Sequence, residues 1–277
     1  MKVNIVIFVF FILIAFAGCL SREKPKQSDE LGYNEQIFPL IDNNDVNAIH
    51  KLINNGYELN INIEYGDGFN RREYTPLSYA VEKNKPDVVN ILLENNVDIE
   101  LCTTWGSPLV IAARENNFYL VKLLLDNGAD VNNDFRFANK FAEGESAIFM
   151  AVLNLNFEMY DYLIEKGADV NIGMAIEHEN ALMALIQRFR RNNDSISRYQ
   201  FIKMVDKLID DGIDINRSVH YGNIFTEVVG SNDIELMKIL LNNGADLNIY
   251  LEERGMSTYE YISTHGSIET IDLINKQ

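Results

Sequence analysis

Two thiols, four imidazoles and a large excess of carboxylates are the reactive groups of this 277-residue chain. The thiols stand alone: Cys19 and Cys102 form no CxxC pair and neither lies in a Cys/His cluster, which excludes zinc-finger and multi-disulfide folds. Cys19 has a context of its own. It follows Ala17 and Gly18, small residues of the kind a signal peptidase pocket accepts. The histidines, His50, His178, His220 and His265, are spread along the chain. His178-Glu179 precedes a helix, where a capping-region polar pair and a metal site are the two readings. No GxSxG, no Gly-rich phosphate loop before Lys-Ser/Thr and no HExxH is present, and the carboxylates sit at helix ends and turns without singling out an acid/base pair. The expectation is a chain that is not an enzyme and holds no cofactor or metal.

With catalysis set aside, composition bounds what else the chain can be. It is 47% hydrophobic, 10% aromatic and 23% charged, a globular profile. Lys and Arg number 24 against 41 Asp and Glu, a net charge of -17. That field repels nucleic acid and anionic lipid and favours a partner with a basic face.

The first twenty residues form a separate problem. Met1-Lys2 gives a positive start, and Val3 to Ala17 is apolar apart from Asn4. The run is short for a membrane span, which needs about 20 residues, and suits a secretory leader; a buried segment or an uncleaved anchor is the other reading. Phe16-Ala17-Gly18-Cys19 resembles the lipobox of bacterial lipoproteins, with Phe16 where Leu is usual. The resemblance implies a signal peptide over 1–18, lipidation at Cys19, and a mature chain on the periplasmic face of the outer membrane, since Leu20 replaces the Asp that retains such proteins in the inner membrane. Residues 19–34 are polar, contain Pro25 and read as a flexible tether.

The rest of the chain repeats. Leu123-Leu124-Leu125-Asp126-Asn127-Gly128-Ala129-Asp130-Val131-Asn132 returns in related form at 162–171 and 239–248. Weaker copies lie at 52–56, 92–96 and 208–212. Short helical runs precede them, most clearly Thr75-Pro76-Leu77-Ser78-Tyr79-Ala80 and Ser107-Pro108-Leu109-Val110-Ile111-Ala112. Thr or Ser caps a helix, and Pro in the first turn loses no hydrogen bond. Gly128, Gly167, Gly212 and Gly244 end Leu-rich helices, where a left-handed backbone is needed, and Asn96 stands at that place in the second copy. These motifs resemble the ankyrin repeat over residues 35–277. The resemblance implies an all-α, ankyrin-repeat solenoid of six to seven helix-turn-helix units with β-hairpin finger loops, stabilised by stacking of neighbours. The first copy lacks Thr-Pro-Leu and the last is truncated, as befits capping units.

The intervals between copies vary. Cap to terminal Gly or Asn spans 21 positions in four copies, but 32 from Asn180 to Gly212. The excess carries Arg188, Arg190, Arg191 and Arg198, then Lys203, as solvated helix ends or as a second site. Two connections are long. Ile61 to Tyr74 holds Tyr65, Phe69, Arg71 and Arg72, with Gly66-Asp67-Gly68 placed as a hairpin turn; Asn133 to Glu145 holds Phe135, Arg136, Phe137 and Phe141. Trp105 lies on the short connection between them. Aromatic residues and Arg carry binding energy in interfaces, so the expected partner-binding rim is Tyr65, Phe69, Arg71, Arg72, Trp105, Phe135, Arg136 and Phe137; packing of these rings on the repeats themselves is the other possibility.

A tethered acidic solenoid of this kind is a non-catalytic protein-binding module. Some bacterial ankyrin lipoproteins that it resembles are immunity proteins against secreted toxins such as phospholipase effectors, which implies a periplasmic immunity or inhibitor role. A partner or stabiliser of a resident periplasmic enzyme and an envelope scaffold are the alternatives. Another protein is the expected partner, with the membrane reached through the lipid anchor only.

Overall fold

A computed structural model describes residues 34–66, 71–133, 145–172, 180–191, 197–219 and 222–276. The leader, Cys19 and all of the tether but Asn34 lie outside them. Among the described residues no helix is long and apolar enough to cross a membrane.

Fourteen α-helices follow in seven antiparallel pairs among the described residues: α1 Ile37–Asp42 and α2 Val46–Asn54; α3 Pro76–Glu82 and α4 Pro86–Glu94; α5 Pro108–Arg114 and α6 Phe118–Asp126; α7 Ala147–Leu153 and α8 Phe157–Glu165; α9 Ala181–Arg191 and α10 Arg198–Asp210; α11 Ile224–Ser231 and α12 Ile234–Asn242; α13 Thr258–His265 and α14 Ile268–Ile274. The chain divides into two compact bodies, residues 1–142 and 143–277, the first holding repeats one to three and the second repeats four to seven. Among the described residues three two-stranded antiparallel ribbons join repeats: β1 Ile63–Tyr65 with β2 Arg72–Tyr74, β3 Ser218–Val219 with β4 Gly222–Asn223, and β5 Tyr250–Leu251 with β6 Met256–Ser257.

All the described helices but α1 and α4 start at a residue whose side chain caps them. Thr75 Oγ1 accepts the Ser78 N–H at 2.9 Å, and Ser78 Oγ accepts the Thr75 N–H at 2.8 Å, a reciprocal box that satisfies two donors. Ser107, Ser146, Asn180, Asn223 and Ser257 accept in the same way at the later first helices. The capping residues Thr75, Ser78, Ser107, Ser146 and Asn180 are buried, so each is a polar group whose partner is obligatory. Gly128, Gly167, Gly212 and Gly244 carry φ between +84° and +93°, and Asn96 +57°, at the ends of the second helices. The turn inside the first four pairs and the sixth holds a left-handed residue as well. Asn44, Asn84, Asn116 and Asn232 supply it at φ between +51° and +55°, but in the fourth repeat Leu155 does, at +51°, a conformation costly for a branched side chain.

Between pairs lies the core. In the first body Phe38, Ile41, Ile49, Leu77, Leu92 and Leu109 are fully enclosed, and in the second Phe149, Tyr160, Leu163, Leu182, Phe201 and Phe225. Ala80 and Ala112 lie on the first helices with no exposed surface, and their small size lets α3 and α5 pack directly on each other. Polar bonds then tie repeat to repeat. Asn60 Oδ1 accepts the Asp98 N–H at 2.6 Å, Asn171 Oδ1 that of Asp214 at 2.7 Å, and Asn216 Oδ1 that of Asp246 at 2.7 Å. Glu100 takes the corresponding place between repeats two and three, accepting from the Asp130 N–H at 2.7 Å and from the Asn133 amide. Burial pushes its carboxyl above the usual carboxylate range, against those two hydrogen bonds, and the nearby charges of Asp130 and Asp98 act in the same direction as burial.

Candidate protein-binding surface

The hairpin β1–β2 and the next connection build one exposed feature in the first body. The ribbon register pairs Ile63 with Tyr74, Glu64 with Glu73 and Tyr65 with Arg72. Ile63 is buried and Glu64 exposed, as a period of two requires, and Tyr74 is buried opposite Ile63; Arg72, two residues before Tyr74 and opposite Tyr65, is exposed. Tyr65 turns inward: its ring lies 4.4 Å from Phe38 and 5.5 Å from Tyr79, centroid to centroid. Of the two possibilities the sequence leaves for these rings, Tyr65 therefore packs on the repeats, half-buried. Tyr74 and Tyr79 complete the cluster at 5.0 Å. Tyr79 Oη donates to both oxygens of Asp42, at 2.9 and 3.0 Å, and Tyr74 Oη donates to Glu82 at 3.1 Å. Burial and then Glu82 push the Tyr74 hydroxyl up to about 12, and burial with Asp42 raises that of Tyr79. Both phenols therefore stay neutral at ordinary pH, which makes them packing groups rather than acids or bases.

This cluster anchors the hairpin that carries Arg71 and Arg72. Arg71 is answered by Glu64 at 3.4 Å and Glu35 at 3.9 Å. Arg72 reaches the next connection, where its guanidinium lies 4.3 Å from the centroid of the Trp105 ring. Trp105 is presented by a tight turn: Thr103 N–H donates to the Gly106 carbonyl at 3.0 Å, and the Trp105 N–H donates to the Thr103 hydroxyl at 3.1 Å. Gly106 holds φ +116°, and a Cβ there would meet Val110 Cγ1 at 3.0 Å, so the turn requires glycine twice over. Arg114 closes the arrangement at 5.9 Å from the same ring. It is the residue that sequence spacing passes over. Helical side chains lean toward the N-terminus of their helix, so the last residue of the short α5 can reach back to the turn that precedes it. The result is an indole 40% exposed with two guanidiniums close to its ring. Such a platform has an apolar face, an N–H donor and fixed charge, the ingredients of a protein-contact hot spot.

Phe69, Phe135, Arg136, Phe137 and Phe141 lie outside the described residues, as do His178 and His220. In the Arg-rich run of the fifth repeat Arg190, Arg191 and Lys203 are exposed, and three of the arginines reach neighbouring repeats. Arg188 donates to the Leu153 carbonyl of the fourth repeat, Arg190 pairs with Glu227 at 2.7 Å, and Arg198 donates to Asp233 at 2.7 Å and Glu235 at 2.9 Å in the sixth. Phe189 and Phe201 stack at 4.1 Å beneath Arg198. These cations tie neighbouring repeats together. Among the described residues no group of three or more His, Cys, Asp or Glu is placed to hold a metal. Cys102 is buried on the connection before Trp105.

Helix pairs, left-handed turns and ribbon connections of this kind define the ankyrin-repeat fold. The family model described as "Ankyrin repeats (3 copies)" matches residues 37–135 and 98–174, and the chain is an ankyrin-repeat protein, of a fold whose members bind other proteins. Over 188 residues it is 25% identical to an ankyrin repeat protein of Acanthamoeba polyphaga mimivirus, covering 66% of this chain and 49% of that one. A fowlpox virus ankyrin repeat protein is 38% identical over 99 residues, 35% of this chain and 28% of the relative. Alpha-latrocrustotoxin-Lt1a of Latrodectus tredecimguttatus is 33% identical over 143 residues, covering 48% of this chain and 10% of the toxin. The chain thus spans half or less of the length of these curated relatives. Among solved structures, the ankyrin repeat domain of Bcl-3 superposes with a TM-score of 0.64 at 21% identity, covering 86% of this chain and 97% of that one. That likeness concerns the fold.

Proposed function

We propose that the chain is a non-catalytic protein-binding module whose recognition surface in the first body is centred on Trp105, flanked by Arg72 and Arg114. The observation that carries this is the exposed indole with two guanidiniums close to its ring, on a hydrogen-bonded turn. An aromatic ring fixed in this way binds with little loss of side-chain freedom. The acidic charge of the chain, -17 overall, speeds the approach of a partner with a basic face, while the indole sets how slowly it leaves.

Within this reading, the chain is an immunity or inhibitor protein tethered at the periplasmic face of the outer membrane, where it neutralises a secreted toxin such as a phospholipase effector. The support is the sequence Ala17-Gly18-Cys19 after a short apolar leader: a binder tethered in the envelope meets a toxin where the toxin acts. The first experiment is fractionation of cells carrying Cys19→Ser, which should shift the protein from the outer membrane to an unprocessed or soluble form; unchanged processing and location would sink the tether. The second is capture from a periplasmic extract with the native chain and with Trp105→Ala. A toxin captured by the native chain alone supports immunity, and a resident enzyme captured in its place supports a stabilising role.

A further inference from the structure

The fifth repeat is built on longer helices than its neighbours. Helices α9 and α10 have 11 and 13 residues, against 7 and 9 in the fourth repeat and 8 and 9 in the sixth. The extra turns extend at the end where α9 runs into α10, opposite the ribbon connections, so they overhang the corresponding end of the sixth repeat. Beneath the overhang lies a cavity of about 530 Å³, within the range of small-ligand sites. Its apolar side is Ile186 and Phe189, and its polar side is Asp233, Glu235 and Glu269 with Arg198.

Charge decides what fits. Arg190 also lines the cavity but is matched by Glu227 at 2.7 Å. That leaves one guanidinium, Arg198, against three carboxylates. Arg198 already donates to Asp233 and Glu235, so an incoming anion would have to displace carboxylates from it. Glu235 keeps 64% of its side chain exposed even while paired, and Glu269 is exposed at the start of α14. A cation with an aliphatic stem finds both of its requirements here: carboxylates for the head and Phe189 with Ile186 for the stem. Two large apolar side chains, each next in the chain to a lining residue, are exposed on helices that line the cavity. Tyr199 is 75% exposed beside Arg198 and Ile268 is 80% exposed beside Glu269. Exposed large apolar groups on helices that also line a cavity are the pattern of a surface that a protein partner dries on contact.

We propose that this cavity receives an arginine or lysine side chain of a protein partner, held by Glu235 and Glu269, with apolar neighbours of that residue on Tyr199 and Ile268. The site rests on the chain being a protein binder but not on the Trp105 platform, which belongs to the other body.

The test uses amide NMR of the full chain in detergent micelles, with N-acetyl-leucyl-arginine amide, N-acetyl-leucyl-norleucine amide and N-acetyl-leucyl-glutamate amide as probes. The arginine probe should shift the amides of residues 231–236 and of Glu269 in a saturable way. Binding should be at least tenfold weaker in the variant carrying both Glu235→Gln and Glu269→Gln, weaker in high salt, and unchanged by Trp105→Ala. Both glutamates are exposed, so the melting temperature of the double variant serves to show that it folds. Tighter binding of the glutamate probe at these amides, equal binding of the norleucine probe, an arginine site indifferent to the double variant, or no saturable shift would each overturn the proposal. If partner capture still depends on Trp105 in that event, the cavity assignment fails and the function proposed above stands; capture that is lost with the double variant and kept by Trp105→Ala has the reverse meaning.

Discussion

The Arg72 guanidinium lies 4.3 Å from the centre of the Trp105 ring, so the hairpin after the first repeat rests its charge on the turn after the second. The pairing keeps the indole in one orientation while leaving much of its surface to solvent. Trp105→Ala should lower partner affinity by about 2 kcal/mol or more, as for a central aromatic anchor. An exposed ring leaves no cavity on removal, so the same change should cost the fold less than about 1 kcal/mol. Titration calorimetry with the captured partner, beside a urea melt of the free chain, checks both halves.

The Asn171 and Asn216 side chains make paired bonds across repeats. Asn216 Oδ1 accepts the Asp246 N–H at 2.7 Å and its amide donates to the Gly244 carbonyl at 3.1 Å. Asn216→Ala removes both and should destabilise the chain by about 1–3 kcal/mol, at roughly 0.5–1.5 kcal/mol per hydrogen bond. Asn243→Ala, which loses a bond within its own helix only, should cost less. Equal urea midpoints for the two variants would contradict the cross-repeat role.

Glu100 occupies the same structural place with a carboxyl that burial raises. A carboxyl whose pKa is higher in the fold than in the unfolded chain favours folding in its protonated form. Its contribution is therefore best below the ordinary carboxylate range near 4.5 and is lost as pH rises through the folded value. Glu100→Gln keeps an acceptor for the Asp130 N–H without the charge. Its melting temperature should exceed that of the native chain at pH 7, and the gap should close on acidification. A gap that widens toward pH 4 would have the wrong sign.

In the fourth repeat Leu155 holds the left-handed turn that Asn fills in the first three repeats and in the sixth. Asn tolerates that conformation better than leucine, and Leu155 is only half-buried. Leu155→Asn should stabilise the chain by about 0.5–1 kcal/mol, on the scale set by strain at such positions. A lower melting temperature would mean that its side-chain packing outweighs the strain.

Much of the fold is legible because its determinants are local. Thr75-Pro76 and Ser107-Pro108 announce helix starts, Gly128 and Gly244 announce ends, and the interval from Asn180 to Gly212 announces longer helices. The uses of those longer helices are not legible. Arg190 and Arg198 find their carboxylates 35–37 residues away on the next repeat, and no periodicity says which of many acidic residues will face them. Tyr65 likewise cannot be told from an exposed ring until Phe38 and Tyr79 are placed beside it. Trp105 could be singled out as a ring on a connection, whereas its second guanidinium, Arg114, needed the direction of a helical side chain.

The Asn bridges set a distance scale in time as well as space. Those at Asn60, Asn171 and Asn216 join residues 30–43 positions apart, never the two ends of the chain. Loops of that length close at modest entropic cost. As the chain leaves the ribosome, each repeat can therefore dock on the one made just before it, and synthesis need not finish before folding begins. Forced from one end, the same links would be expected to break in succession, giving a staircase of small extensions in place of a single rupture.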